Sequence, residues 1–148
     1  MKILVIHGPN LNMLGTREES IYGEKTLRQI DGLLKKEARA LGIELAIFQS
    51  NHEGALIDFI QEQTSSSQGI IINPAGLTHY GLSLRDALTD SKLPVIEVHL
   101  SNIYRREEWR AKSVIAPVAT GQISGLGWRG YVMALHVLAG GPQLKSQN

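Results

Sequence analysis

Four side chains in this sequence are of types that can move protons. Tyr22 and Arg17 lie in one long loop, and a tyrosine whose phenolate is stabilised by a nearby cation can act as a general base. Glu97 and His99 are two positions apart, so on a strand both side chains point to the same face. A carboxylate fixes the tautomer of a neighbouring imidazole and keeps a proton ready for donation. The four residues therefore predict a base and an acid that together can eliminate water across a carbon–carbon bond.

Two asparagines next to prolines complete this set. Asn10 follows Pro9 and Asn73 precedes Pro74, and a side-chain amide at such a strand end can orient a water or hold a developing enolate oxygen. Each candidate also has a structural interpretation. Asparagines are ordinary turn residues, a loop tyrosine is often a half-buried anchor, and a carboxylate–imidazole pair can be a buried polar unit. The residues alone leave both interpretations open.

The segment 8–23, which carries Arg17 and Tyr22, is long for a connection in a compact domain. Such connections usually run to about 4–6 residues, and longer ones tend to be lids or binding loops. Loops carry function because a rigid scaffold can position them. We therefore predict that 8–23 is a substrate-binding loop, and its closure over substrate is a hypothesis.

Apolar runs and helical patterns alternate along the chain. Short apolar runs typical of strands buried on both faces lie at 3–6, 43–48, 70–72, 94–98 and 118–123. Helical patterns lie between them and after the last, at 27–41, 56–63, 82–88, 105–111 and 128–138. This alternation predicts an α/β fold, a flavodoxin-like three-layer sandwich with a five-stranded parallel sheet in the order 2-1-3-4-5.

That strand order predicts where a site should lie. Ligands of such sheets bind beyond the carboxyl ends of the strands, at the switch point between strands 1 and 3. The loops 8–23 and 73–81 leave those two strands, and strand 4 ends nearby at Glu97 and His99. We therefore expect the candidate residues to meet at one edge of the sheet.

Length and composition narrow the class of protein. The 148 residues predict one catalytic domain over 1–140, followed by a polar, flexible tail over 141–148. A net charge of +1 gives no electrostatic reason to expect nucleic acid or membrane as a partner. Since there is no cysteine, disulfides and thiolate catalysis are excluded. The first apolar run is too short for a signal peptide, so we expect a cytoplasmic protein.

Neither a metal nor a cofactor is expected. The histidines show no recognised zinc spacing, and a phosphate-binding Walker loop is absent. The segment 125–130 does match the dinucleotide fingerprint G-x-G-x-x-G. That fingerprint also needs a following strand with an acidic residue about 20 positions on, and here only the polar tail follows. We interpret these glycines as permitting a tight turn and close helix packing.

Four sequence blocks, in order, resemble the type II 3-dehydroquinate dehydratases. The first is Gly-Pro-Asn-Leu-Asn at 8–12, followed by Leu-Gly at 14–15, Arg-Glu at 17–18 and Tyr-Gly at 22–23. The others are Asn-Pro-Ala-Gly-Leu-Thr-His at 73–79, Ile-Glu-Val-His-Leu-Ser-Asn at 96–102, and the glycines and tyrosine of 125–131. The match extends from the first strand to the last helix and is therefore specific.

The resemblance implies a reaction and a role for each catalytic residue. Members of the family dehydrate 3-dehydroquinate to 3-dehydroshikimate by an anti elimination through an enolate, a step that serves aromatic biosynthesis or quinate breakdown. Tyr22 would remove the proton at C2, with Arg17 stabilising its phenolate. His99, supported by Glu97, would protonate the leaving C1 hydroxyl, and Asn10 would hold a water against the enolate.

The resemblance also implies how the substrate is held and how the chain assembles. Asn73, Ser101 and the backbone amides of Leu100 and Ser101 would hold the substrate carboxylate. His79 and Arg110 would contact the ring hydroxyls. The family forms dodecamers built from trimers, and Asp86 matches a position that reaches the site of a neighbouring subunit.

The chain departs from the usual family pattern at two places. His7 stands where many relatives have asparagine and is expected to alter the surroundings of Asn10, and Tyr80–Gly81 replaces a common Thr-Ser.

Three other functions are possible for a chain of this pattern. A phosphoacceptor receiver needs clustered acidic residues after strand 1, where this chain has His7-Gly8. A flavin carrier needs a Ser/Thr-rich phosphate loop there. A family member that binds without turnover is disfavoured because Tyr22, Arg17 and His99 are intact.

Overall fold

Five parallel strands form one sheet in the order β2-β1-β3-β4-β5. The computed structural model describes residues 1–140, so the predicted tail at 141–148 lies outside the described residues. The strands are β1 (Lys2–His7), β2 (Glu44–Gln49), β3 (Gly69–Asn73), β4 (Val95–His99) and β5 (Gly121–Ser124). The helices are α1 (Glu19–Tyr22), α2 (Leu27–Ala40), α3 (Glu53–Gln63), α4 (Leu82–Ser91) and α5 (Arg129–Ala139). The predicted flavodoxin-like fold and strand order are confirmed.

Alternate side chains of β1 enter two separate cores. Ile3 and Val5 of β1 pack in a cluster with buried residues of α2 and α5. Leu4 and Ile6 pack in a second cluster with buried residues of α3 and α4. Because both faces of the sheet are covered by helices, its strands read as continuous apolar runs rather than as alternating patterns. This is the three-layer arrangement that the sequence predicts.

The helix α2 begins where the sequence predicts it. The Thr26 hydroxyl accepts a hydrogen bond from the backbone N–H of Gln29, and the Gln29 side chain accepts one from the backbone N–H of Thr26. This reciprocal cap satisfies two donors that a helix start would otherwise leave free. Gly42 follows the helix with a φ of +68°, which favours glycine. Thus α2 has a defined start and a defined end, and it presents one apolar face to the sheet.

One predicted strand boundary and one predicted helix are wrong. The last strand begins at Gly121 rather than at 118, because Ala116–Val118 form a 3-10 turn with a proline in its first positions. The predicted helix over 105–111 is instead two short 3-10 turns, Ile103–Arg105 and Glu108–Ala111. Buried Ile103 anchors the first of these turns to the body of the protein.

The glycines at 125–130 permit a tight turn and close packing of α5 against the sheet, as predicted. A Cβ on Gly130 would lie 3.2 Å from Ile123 and 3.3 Å from Val98, so glycine lets α5 approach the sheet closely. Gly125 and Gly127 have φ values of +89° and +58°. Within the part of the chain that the structure describes, no helix is both long and apolar enough to cross a membrane.

Candidate active site

The loops that leave β1 and β3 are in direct contact. His7 pairs with Asn73 in the parallel register, and the Gly8 N–H donates to the Asn73 carbonyl at 2.8 Å. A Cβ on Gly8 would lie 2.4 Å from the Pro74 carbonyl oxygen, which no real Cβ tolerates. Glycine at position 8 therefore allows the two loops to cross where the strand order switches.

A cavity of about 200 Å³ lies at this edge of the sheet. The sequence predicts eleven site residues, and nine of them line this cavity. The other two, Glu97 and Asp86, do not. The nine are Asn10, Arg17, Tyr22, Asn73, His79, His99, Leu100, Ser101 and Arg110. They come from four chain segments, so the fold brings together side chains that are up to 100 positions apart in sequence.

The hydroxyl of Tyr22 accepts hydrogen bonds from two arginines. Arg17 Nη2 and Arg106 Nη2 each lie 2.9 Å from the phenolic oxygen. The guanidinium carbon of Arg17 also lies 3.9 Å from the centroid of the tyrosine ring. Both guanidinium groups therefore donate to the one oxygen of Tyr22 that could accept a proton from a ligand.

His99 lies at the carboxyl end of β4 with Glu97 buried behind it. Its Nε2 lies 3.6 Å from Glu97 Oε2, and Glu97 is fully buried and does not line the cavity. Since Nε2 is turned toward this carboxylate, Nδ1 is the ring nitrogen left for a ligand. The Glu97 carboxylate therefore fixes the orientation of the imidazole.

Two polar side chains hold Glu97 in place. The Ser113 hydroxyl donates to Glu97 Oε1 at 2.7 Å, and the Gln122 amide donates to Oε2. Burial raises the pKa of Glu97, but the nearby His99 and the donors Ser113 and Gln122 outweigh it, so the pKa lies below its ordinary value. Glu97 is therefore a fixed anion that orients His99 rather than a group that exchanges protons.

Asn10 lies on left-handed backbone, and Asn73 ends β3 two residues before another left-handed position. Asn10 has a φ of +69°, and its N–H donates to Asn51 Oδ1 at 2.9 Å. Asn73 Oδ1 accepts from the backbone N–H of Ala75 at 3.1 Å, and Ala75 has a φ of +53°. Left-handed backbone at residues other than glycine is uncommon and clusters at functional sites. Both loops are thus held in specific shapes where they meet the cavity.

His79, Arg110 and Trp109 also line the cavity and contact one another. The Nδ1–H of His79 donates to the Lys112 carbonyl at 2.7 Å, which leaves Nε2 as the free ring nitrogen. The ring of His79 meets Trp109 edge-on with centroids 5.0 Å apart. The guanidinium carbon of Arg110 lies 4.2 Å from the centroid of Trp109. Trp109 therefore fixes two polar side chains around the space where a hydroxylated ring would fit.

Two residues that the sequence singles out do not line this cavity. The side chain of His7 is fully buried and contacts Tyr131 of α5 and Asp31 of α2, and its effect on the surroundings of Asn10 stays a prediction. Asp86 is exposed on α4 and does not line the cavity of its own chain. Any role for Asp86 in catalysis therefore lies outside the site of the same subunit.

Sequence reasoning missed Arg106 and Trp109. Arg106 contacts Tyr22 and also donates to the Ser101 hydroxyl at 3.3 Å, so it joins the base to the segment that follows β4. In sequence, Arg106 belongs to a charged run at 105–108, two arginines followed by two glutamates, that is typical of a solvated surface. Only the buried Ile103, which fixes the preceding turn, shows which of the two adjacent arginines faces inward.

The fold and the cavity define a flavodoxin-like α/β protein in which an arginine-held tyrosine and a glutamate-backed histidine line one site. The profile of a known family, described as Dehydroquinase class II, matches residues 1–139. The chain belongs to the class II dehydroquinase family. The family predicted from the four sequence blocks is therefore confirmed, and the receiver and flavin-carrier alternatives are excluded.

Individual relatives match the chain over nearly its whole length. A protein of Roseiflexus castenholzii named 3-dehydroquinate dehydratase is 62% identical, with 99% of this chain and 96% of the relative covered. One of the same name from Halothermothrix orenii is 57% identical, with 93% of each covered. The crystal structure of type II dehydroquinase from Butyrivibrio crossotus superposes with a TM-score of 0.91 at 48% identity, covering 93% of this chain and 97% of that one.

Proposed function

We propose that this protein dehydrates 3-dehydroquinate to 3-dehydroshikimate, in the shikimate pathway, by an anti elimination through an enolate. The observation that carries the proposal is the cavity itself. Its walls hold a tyrosine with two arginine donors on the phenolic oxygen and a histidine backed by a buried carboxylate. These are the base and the acid that an elimination of water requires, and the relatives at 62% and 57% identity are named for this reaction.

The first step is removal of a proton from C2 of the substrate. The Tyr22 phenolate accepts the proton, and the electron pair of the C–H bond forms an enolate with the C3 carbonyl. Arg17 and Arg106 stabilise the phenolate before the step and remain as donors to the neutral phenol afterwards. Asn10, at the mouth of the β1 loop, holds a water that donates to the enolate oxygen.

The second step is loss of the C1 hydroxyl as water. The imidazolium of His99 donates its proton to that hydroxyl while the enolate collapses, the C1–C2 double bond forms and the C–O bond breaks. At the end of the cycle Tyr22 has gained a proton and His99 has lost one. A proton therefore leaves Tyr22 and another reaches His99 through solvent before the next turnover. Glu97 keeps His99 oriented throughout because Ser113 and Gln122 fix the carboxylate.

Two groups of residues hold the substrate in this orientation. Asn73 and Ser101, with the backbone amides of Leu100 and Ser101, bind the ring carboxylate. His79 Nε2 and the Arg110 guanidinium bind the ring hydroxyls, and Trp109 supports both side chains. Correct placement of the ring between base and acid contributes to the rate because it converts both proton transfers into steps within one complex.

The assembly belongs to the same proposal. The protein forms a cytoplasmic dodecamer built from trimers, and the exposed Asp86 on α4 completes the site of a neighbouring subunit. Light scattering of the protein as it leaves a size-exclusion column should give the mass of twelve copies of the 16.3-kDa chain. An active monomer, or an Asp86→Ala variant with the kinetics of the parent protein, would contradict this part.

The reaction is tested by mixing the purified protein with 3-dehydroquinate in a chelating buffer without added cofactor. Absorbance of the conjugated enone reports product directly. Substrate carrying deuterium at one of the two C2 positions separates the stereochemical courses, because anti elimination removes only the hydrogen opposite the leaving hydroxyl. We expect rapid product formation with that hydrogen lost. A folded protein that binds substrate without turnover would contradict the proposal and support the alternative of a non-catalytic family member.

A further inference from the structure

The segment that follows β2 runs beside the loop that leaves β1. Gln49 pairs with His7 in the parallel register, and the Ser50 N–H donates to the His7 carbonyl at 3.1 Å. The side-chain oxygen of the next residue, Asn51, accepts a hydrogen bond from the backbone N–H of Asn10 at 2.9 Å. Asn10 lines the cavity, whereas Gln49 and Asn51 do not, and no step of the proposed mechanism uses them.

The hydrogen bonds of Gln49 and Asn51 have a determined direction. A backbone N–H can only donate and a backbone carbonyl can only accept, so each side-chain amide is oriented by its backbone partner. Asn51 therefore turns its oxygen to the Asn10 N–H. Gln49 turns Nε2 to the Gly8 carbonyl, 3.2 Å away, and the same nitrogen donates to Asn51 Oδ1 at 3.2 Å. Gln49 thus acts as a donor and Asn51 as an acceptor.

The backbone at Asn10 needs such a support. Its φ of +69° lies in the left-handed region, which residues other than glycine keep only where the surrounding structure holds them. On one side of it Gly8 lies against the Pro74 carbonyl, and on the other side Leu11 is buried. Asn10 itself is exposed between these two fixed points, and the hydrogen bond to Asn51 is made at its own backbone.

We propose that Gln49 and Asn51 are positioning residues that hold Asn10 in its left-handed conformation, so that its side chain is placed at the cavity to hold the water for the enolate oxygen. The inference rests on the proposed function, because that water belongs to the proposed mechanism. The enolate exists only after the proton has left C2. The pair therefore acts on kcat rather than on binding of the substrate.

The main test exchanges each amide for the carboxylate of the same shape. Asn51→Asp keeps an oxygen that accepts from the Asn10 N–H, so it should retain the parental kcat. Gln49→Glu replaces the donor by an oxygen that repels the Gly8 carbonyl and the Asn51 oxygen. Its kcat should fall about two- to tenfold, the worth of one net hydrogen bond, with KM changed less than about twofold. Both variants add the same charge, so equal kcat values for the two would overturn the inference.

A truncation with a matched control tests the same contact. Asn51→Ala removes the acceptor of the Asn10 N–H, so kcat should fall about two- to tenfold with little change in KM. Gln68→Ala is the control, because the exposed Gln68 side chain accepts from the backbone N–H of Lys2 at 2.6 Å, at the other end of β1. It should keep the parental kcat. A loss equal to that in Asn51→Ala would indicate a general effect on β1 and would overturn the inference.

Hydrogen exchange gives a readout that does not depend on activity. Mass spectrometry of the segment 8–14 should show faster exchange in Asn51→Ala than in the parent protein, because the Asn10 N–H loses its acceptor. Gln68→Ala should exchange there at the parental rate. Unchanged exchange in Asn51→Ala would overturn the inference whatever reaction the protein catalyses.

The variant Asn10→Gly separates this inference from the proposed function. Glycine adopts the left-handed conformation without steric cost and removes only the side chain. In that background Asn51→Ala should lower kcat no further, and a further fall would overturn the inference. An Asn10→Gly variant with the parental kcat would overturn the water-holding role of Asn10 and the inference with it. The reaction itself is tested separately by product formation in the parent protein.

Discussion

Arg106 Nη2 lies 2.9 Å from the hydroxyl of Tyr22, a residue 84 positions earlier in the chain. This contact links the loop after β1 to the segment after β4, which also carries Ser101. Together with Arg17, it surrounds the proposed base with two positive charges. The proposed base therefore depends on a residue that no sequence pattern singles out.

Loss of either arginine should weaken the base without preventing substrate binding. A hydrogen bond to a charged group contributes about 1.5–3 kcal/mol, so Arg17→Ala and Arg106→Ala should each lower kcat by about ten- to a hundredfold. Because both arginines act on one oxygen, the double variant should deviate from the product of the single effects. Steady-state kinetics of the four proteins measures this coupling.

The matched control for these variants is Arg105→Ala. Arg105 is adjacent in sequence and exposed, and it makes no side-chain hydrogen bond to the described residues that line the cavity. It should keep the parental kcat. If Arg105→Ala and Arg106→Ala lose the same activity, the effect comes from the net charge of the segment and not from the contact with Tyr22.

The buried carboxylate of Glu97 should make stability depend on pH. Its folded pKa lies below its unfolded value of about 4.3, so its stabilisation is complete above that value and is lost as the pH falls through the folded pKa. Glu97→Gln should therefore unfold at a lower temperature than the parent protein at pH 7, and the difference should shrink below about pH 4.3. Thermal unfolding followed by circular dichroism measures both.

Glu44→Gln provides the control for this series because Glu44 is an exposed carboxylate on β2. Its unfolding midpoint should follow that of the parent protein at every pH. A difference between the parent and Glu97→Gln that stays constant into strong acid would contradict the assignment of Glu97 as a buried anion.

The crossing of the two loops should tolerate no side chain at position 8. Gly8→Ala places a Cβ against the Pro74 carbonyl, so we expect the free energy of unfolding to fall by more than about 2 kcal/mol and KM to rise. Gly32→Ala is the control: a Cβ there meets no atom within 4 Å, and alanine in this helix should stabilise by about 0.5–1 kcal/mol. Denaturant titration of both variants tests the pair, and equal stabilities would contradict the argument.

Closure of the loop 8–23 over substrate predicts protection from proteolysis. Arg17 and Tyr22 are cleavage points for trypsin and chymotrypsin, and both side chains line the cavity. A bound ring carboxylate inhibitor should slow cleavage at both positions. Cleavage at the exposed Arg39 on α2 serves as the reference within the same digest. Unchanged cleavage at Arg17 and Tyr22 would argue that the loop does not close.

The strands, and the edge of the sheet at which the site lies, could be predicted because short segments of the sequence are enough to indicate them. Continuous apolar runs define β1 and β3, and the flavodoxin-like order then fixes where their loops meet. The sequence predicts a start of β5 that is too early, because the turn around Pro117 is apolar and resembles a strand. The boundaries of such elements depend on tertiary contacts that a local pattern does not contain.

The residues that act through others could not be found in this way. Tyr131 lies on an apolar stripe of α5 and is predicted as core, yet its hydroxyl lies 3.1 Å from Nδ1 of the buried His7. Arg106 and Arg105 are adjacent and have the same neighbouring residues in sequence, so the sequence does not show which of them faces Tyr22. In both cases the deciding information is which side chains face each other across strands, and that is set by the fold.

The central claim is that Tyr22 is the base, and Tyr22→Phe tests it most directly. The variant keeps the ring between the arginines and removes only the group that accepts the proton, so kcat should fall by about a hundred- to ten-thousandfold while the dissociation constant for a ring carboxylate inhibitor changes little. Tyr80→Phe, at an exposed tyrosine outside the cavity, should keep full activity. A Tyr22→Phe variant that turns over 3-dehydroquinate at the parental rate would contradict the account.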